Sequence, residues 1–223
     1  MSARINHPYL SSNFVEARAY QLKALNAILD SSTLLVLPTA MGKTPIELMA
    51  VADRLLQFPT KKAILMAPTN PLLFQHYQDA KKFLNIPEES IVMINGGIHW
   101  KKRQETIKNA RLILATPQVI RNDVNRGSMS LTNYCLLVID EAHHASGKHA
   151  MAQVPDMYLE QANSGLLLGA TASPGSTDKT ILFENDTDSW NFNQNIETST
   201  TTKVKQKGAF MQSSTHQALV LGG

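Results

Sequence analysis

The chain has a single cysteine, Cys135, among its 223 residues, so no disulfide can form within it. That economy favours a reducing compartment, and the cytoplasm is the expected location. No apolar run approaches the roughly twenty residues of a membrane-crossing helix, and the first residues lack the apolar core of a secretion signal. A membrane partner is therefore not expected. An excess of one charge is missing too: 21 Lys and Arg against 18 Asp and Glu leave +3, which permits nucleic-acid binding without demanding it. There is no repeat of solenoid length. Hydrophobic residues make up 43% of the chain, enough for one large α/β core.

Six short apolar runs recur, at Leu34–Leu37, Ala63–Met66, Ile91–Ile94, Leu112–Ala115, Leu136–Ile139 and Leu166–Leu168. Between them, Ile46–Leu56, Leu72–Leu84 and Trp100–Ala110 show helical spacing, and Tyr20–Leu29 is amphipathic. Strands alternating with helices predict an α/β fold over residues 1–183, a doubly wound, mostly parallel sheet with helices on both faces. In such sheets the functional loops follow the C-terminal ends of the strands. From 184 to 223 the character changes: eighteen of forty residues are Ser, Thr, Asn or Gln. This stretch is expected to be a disordered or aberrant polar tail, with a short edge strand at Leu219–Leu221 as the alternative.

Two strings carry the chemistry. Behind the first run comes Leu37-Pro-Thr-Ala-Met-Gly-Lys-Thr44. Its loop, Thr39, Ala40, Met41 and Gly42, would wrap backbone N–H groups around phosphate oxygens at the positive end of the following helix. Lys43 would place a charge on the outer phosphates, and the Thr44 hydroxyl would be a magnesium ligand. Pro45 is acceptable in a first helical turn, whose N–H groups lack partners. Ala40 stands where many such loops have glycine. The second string, Val138-Ile-Asp-Glu-Ala-His143, ends an apolar run in two acids. Asp140 suits magnesium, and Glu141 suits the orientation and deprotonation of an attacking water. Together the strings describe a site for Mg2+ and a nucleoside triphosphate, ATP being expected; either acid could otherwise cap a helix.

With the remaining strings added, the chain resembles the first RecA-like, P-loop NTPase domain of a superfamily 2 DEAH-type helicase, most of all the archaeal Hef and Fanconi-anaemia M branch. Arg18-Ala-Tyr20-Gln21 resembles the family's adenine-recognition motif. Ala67-Pro68-Thr69-Asn-Pro71-Leu72, followed by Gln75-His76, resembles motif Ia, and Ala115-Thr116-Pro117-Gln118 resembles motif Ib. Asp140-Glu-Ala-His143 resembles motif II, and Gly169-Ala-Thr171-Ala-Ser173-Pro174-Gly175 resembles motif III. The resemblance runs from about His7 to Ser176. It implies adenine contact by Arg18 and Gln21, coupling through His143, Thr171 and Ser173, and a second RecA-like domain whose arginines complete the site. Nothing after Ser176 resembles that domain, so the chain is expected to be half a motor, weakly active alone.

Nucleic-acid contact is expected at Pro68, Thr69, Gln75, Gly96, Gly97, Thr116 and Pro117, through phosphates rather than bases. Plain turn and N-cap roles for Gly96-Gly97 and Thr116 are compatible with this. Trp100-Lys101-Lys102-Arg103 reads as a solvated basic helix face, with strand stacking as the alternative. His143, His144 and His149 with Cys135 do not match a zinc framework. The reading is an ATP-dependent DNA helicase or translocase domain, DNA being favoured over RNA. The alternatives are an RNA-directed or restriction-enzyme motor of the same superfamily, and a nucleic-acid-binding module without catalysis.

Overall fold

Each of the six apolar runs is a strand, and all six run parallel in one sheet. The computed structural model describes residues 6–12, 18–38, 41–145 and 149–172, with the backbone alone of 2–3, 17, 181–182, 189–190, 202–203 and 216–220. The strands are β1 (Ser32–Val36), β2 (Lys62–Met66), β3 (Ile91–Ile94), β4 (Leu112–Ala115), β5 (Tyr134–Asp140) and β6 (Leu166–Thr171). Their spatial order is β1-β6-β5-β2-β4-β3. Side chains alternate between faces, yet both faces are apolar. Leu35, Ala63, Leu65 and Val138 enter one core; Leu34, Val36, Ile64, Met66 and Ile139 enter the other. Burial on both sides is why the runs read as continuous rather than alternating.

Helices α1 (Ala19–Asp30), α2 (Lys43–Gln57) and α3 (Asn70–Phe83) cover the first face, through residues such as Ile28, Leu55 and Leu73. Helices α4 (Trp100–Lys108), α5 (Pro117–Asn125) and α6 (Ala150–Gln161) cover the second, through Ile107, Ile120, Val154 and Tyr158. The doubly wound architecture is the expected one. Connections that cross the sheet from β1 towards β3 use the first face, and those that return use the second, as consistent crossover handedness requires.

Local departures have local causes. Helix α2 begins at Lys43, beside Gly42 as expected and ahead of the apolar spacing that starts at Ile46: Gly42 takes a left-handed φ of 83° as its N-cap and Pro45 sits where no N–H is required. Helix α6 was not anticipated. Pro155 lies inside it, and its apolar set of Met151, Val154 and Tyr158 is short. Arg103 corrects the picture of a solvated basic face: Lys101 and Lys102 are exposed, but Arg103 is buried against Asp123. At the other edge, the backbone of His216–Val220 forms a strand, β7, parallel to β1, and Thr202–Lys203 pairs with it antiparallel. The tail thus departs from its expected disorder at these places. Without β7, the buried strand β1 would present an open edge.

Candidate active site

Because β1, β6 and β5 are neighbours, the segments leaving their C-terminal ends converge. The Leu37 N–H donates to the Thr171 carbonyl at 2.9 Å, which ties the start of the glycine-lysine loop to the end of β6. Gly42, Lys43 and Thr44 open α2, whose first turn carries no acidic side chain. The positive φ of Gly42 favours glycine at this position, and a Cβ there would come within 2.7 Å of Gln21 Nε2 and displace that amide. Thr39 and Ala40 lie outside the described residues.

Lys43 faces both acids. Its Nζ is 3.3 Å from Glu141 Oε1 and 3.9 Å from Asp140 Oδ1. Glu141 has a left-handed φ of 55°, an uncommon conformation for a non-glycine residue and one that functional sites tend to retain. Its N–H donates to Asp140 Oδ1 at 2.8 Å. The other Asp140 oxygen, Oδ2, lies 2.7 Å from His76 Nε2. Burial works to raise the Asp140 pKa, but the hydrogen bond and charge of His76, with the charge of Lys43, hold the carboxyl below its ordinary value. The chain thus presents an ionised carboxylate, an ammonium and a helix N-terminus free of acid, which fits a magnesium-bound polyphosphate. Thr44 stands beside Lys43 in the first turn of α2.

His143 connects the string after β5 to β6. Its Nδ1 is 2.9 Å from Thr171 Oγ1 and 3.3 Å from Glu141 Oε2. Partial burial and the charge of His144 lower its pKa. Ser173 is outside the described residues. Gln21 is buried with both ends of its amide engaged: Oε1 accepts from the Arg18 N–H at 2.8 Å, and Nε2 donates to the Gly42 carbonyl at 3.3 Å. The Tyr20 hydroxyl reaches the Met41 carbonyl. The string Arg18-Ala-Tyr20-Gln21 therefore splints the phosphate loop, with the Arg18 side chain exposed.

The expected nucleic-acid residues follow β2, β3 and β4, adjacent strands whose C-terminal ends share one rim. Thr69, Gln75, Gly96 and Gly97 are exposed there, Pro68 and Thr116 are half-buried, and Pro117 is buried. Pro68 and Pro117 meet in an open hollow of about 250 Å3 shared with Gln118 and His144. Thr69 caps α3 through Leu72 N at 3.4 Å; Thr116 is the N-cap of α5 without a side-chain bond. Cys135 sits at the far end of β5, its Sγ against the Arg54 and Lys62 carbonyls, away from His143, so those residues form no metal set.

Glu47 was missed by sequence reasoning, and His76 was quoted without a role. Glu47 lies on α2 one turn beyond Lys43 and is wholly buried. Its signal was there: a lone acid at the head of the apolar stretch Ile46–Leu56. Burial, then the neighbouring charge of Asp140, push its carboxyl up to about 8. A carboxyl whose folded-state pKa is raised keeps its proton while the unfolded chain releases it. Its contribution to stability is therefore largest below the unfolded pKa of about 4.5 and is lost as pH rises through about 8. For His76, burial acts downward, but the hydrogen bond to Asp140 and the charge of Glu47 raise the pKa overall, so its contribution has the same sign. In chelator-treated, nucleotide-free protein, Glu47→Gln should flatten the loss of melting temperature between about pH 5 and pH 8. A constant offset from the parent across that range would show that Glu47 is ionised in the folded chain.

The comparisons with known proteins identify the family and the fold. The model of the DEAD/DEAH box helicase family matches residues 18–180. A putative ATP-dependent RNA helicase of Methanocaldococcus jannaschii is 42% identical over 173 residues, covering 77% of this chain and 22% of that protein. The DEAD-box ATP-dependent DNA helicase Fancm of Drosophila melanogaster is 33% identical over 77% of this chain and 12% of its own length. The crystal structure of the Pyrococcus furiosus Hef helicase domain superposes with a TM-score of 0.73 at 38% identity, over 76% of this chain and 36% of that one. The chain thus spans less than a quarter of these two curated relatives.

Proposed function

This chain belongs to the DEAD/DEAH box helicases, as the first RecA-like domain of a member related to Hef and the Fanconi-anaemia M proteins, and from that premise we propose that it binds ATP and magnesium to drive movement on DNA. The observation that carries the reading is the convergence of Asp140 and Glu141 on Lys43, whose Nζ lies within 4 Å of a carboxylate oxygen of each at the mouth of α2. Lys43 and the N-terminus of α2 would hold the phosphates, and Thr44 and Asp140 would hold magnesium. Bound there, the ion would neutralise charge on the phosphates. Glu141 would orient the attacking water and accept its proton. His143, on Thr171, would relay the state of this site to the segment after β6, where Ser173 follows. Gln21, held by the Arg18 N–H, braces the loop, and Arg18 and Gln21 would border the adenine side. Pro68, Thr69, Gln75, Gly96, Gly97, Thr116 and Pro117 form the rim along which a strand would lie.

Arg54, Arg103 and Arg111 are tied to the Cys135 carbonyl, to Asp123 and to the Leu55 carbonyl, so they are not available to the transferring phosphoryl group. A second RecA-like domain, for which the relatives' length leaves room, would supply such arginines, a contribution of about three to five orders of magnitude in related chemistry. The isolated chain is therefore expected to hydrolyse ATP very slowly and to bind nucleic acid weakly, with steep salt dependence. The test is steady-state ATPase with forked DNA or double-stranded RNA, with and without a Hef-type second domain in trans. A large gain with DNA and that domain supports the proposal. Strong stimulation by RNA alone would redirect it to the RNA-directed branch, and failure of the chain to bind ATP would leave a non-catalytic module.

A further inference from the structure

Glu47 is a buried carboxyl group in need of a partner. It is wholly enclosed, and neither of its oxygens accepts a hydrogen bond. The facing nitrogen of His76, Nδ1, also lacks a hydrogen bond and stands 3.8 Å from Glu47 Oε2. Burying unsatisfied polar atoms is costly, and native interiors provide partners for nearly all of them. One donor atom each from Glu47, His76 and Asp140 can be chosen so that all three lie within 4.8 Å of one another, every residue buried. They come from α2 and α3, which pack in the first core, and from the end of β5, which is buried in both. We propose that Glu47, His76 and Asp140 form a binding site for a divalent transition-metal ion, zinc by preference, distinct from the magnesium that accompanies a nucleotide.

The donor chemistry selects the ion. One imidazole nitrogen and two carboxylate oxygens suit zinc, with a fourth position left for water. Magnesium avoids such a set, because it prefers oxygen ligands in octahedral array and retains several waters. Zinc bonds of about 2.0–2.2 Å place tetrahedral ligand atoms roughly 3.4 Å apart, so closing the site requires the His76–Asp140 pair to open from 2.7 Å and the Glu47 side chain to turn inward. The ion displaces two protons to solvent, the one that His76 shares with Asp140 Oδ2 and the one on the Glu47 carboxyl. Asp140 Oδ1 accepts from the Glu141 N–H and faces Lys43, so the second oxygen is the one available to the new site. Nothing in this depends on helicase activity.

The test uses the full chain, stripped with chelator and free of nucleotide, titrated with zinc chloride by calorimetry. One ion per chain is expected, and X-ray absorption should find one nitrogen, carboxylate oxygens and no sulfur in its shell. Glu47→Gln and His76→Gln should each weaken zinc binding at least tenfold, with His149→Ala unchanged. Melting curves in chelator establish that the variants fold; if either does not, the shell found in the parent protein decides. Lys43→Ala, which removes the nucleotide's anchor, should still take up zinc, so failure of the nucleotide reading and failure of this one are separable. A sulfur ligand, zinc affinity unaltered in folded Glu47 and His76 variants, or no uptake at micromolar zinc would overturn the proposal.

Discussion

Lys43→Ala should reduce nucleotide affinity at least about a hundredfold, close to 3 kcal/mol, and in practice abolish binding in calorimetry. Lys43 is the cation of the constellation, set between Asp140 Oδ1 and Glu141 Oε1. Its removal deprives the phosphates of a counter-charge and leaves two carboxylates facing the same space. Lys43→Arg should fail to restore the parent affinity, because a planar guanidinium cannot occupy the place of a compact ammonium. The fold should survive both changes, since the side chain packs in neither core. Unchanged affinity in the alanine variant would remove the basis for placing phosphates at this helix.

The largest loss of stability should come from Asp123→Ala. Asp123 and Arg103 are 2% and 6% exposed, and the guanidinium engages both carboxylate oxygens, Nε donating to Oδ2 at 2.7 Å. Arg103 also donates to the Ile98 carbonyl, so one side chain joins α4, α5 and the Gly96–Gly97 turn. Removing the acid strands a buried cation, for which about 3–5 kcal/mol is expected, or a melting temperature lower by roughly 6–20 °C in a chain of this size. Arg103→Met with Asp123→Leu should recover much of that loss, because the charges are then removed together. If Asp123→Ala melts within a degree or two of the parent, the pair is not holding the turn.

What could be read in advance was whatever leaves a local trace. A strand buried on both faces shows as an apolar run, and Gly42-Lys43-Thr44 states its chemistry in three residues. The strings after β1 and β5 also announced their pairing, because an ammonium and two acids have an evident joint use. Position within the tertiary structure was hidden. Nothing adjacent to Arg103 distinguishes it from Lys101 and Lys102; its partner is twenty residues away on the next helix. The adenine role of Gln21 rests on resemblance, whereas the hydrogen bonds of its amide with the Arg18 N–H and the Gly42 carbonyl are set by the fold and leave no local trace. Glu47 and His76 belong to separate helices and meet through the fold alone, so no spacing could associate them with Asp140. Helix α6 was obscured by Pro155, which local propensity counts heavily and tertiary packing overrides.

The strand order also sets a timetable. Strand β1 precedes the other five strands in chain order, yet its inner neighbour, β6, is completed about 135 residues later, with Val36 opposite Thr171. At ribosomal rates of 5–20 residues per second, that interval is roughly 7–27 s. Strands β2, β3 and β4 can pair within a much shorter length of chain, Met66 with Ala115 and Ile94 with Ala115. The nascent protein therefore carries an apolar, unpaired β1 while the other half of its sheet is already able to assemble. A strand left waiting in this way invites pairing with a second chain, so the emerging polypeptide should be most prone to aggregation, and most reliant on chaperones, just before residue 171 leaves the ribosome.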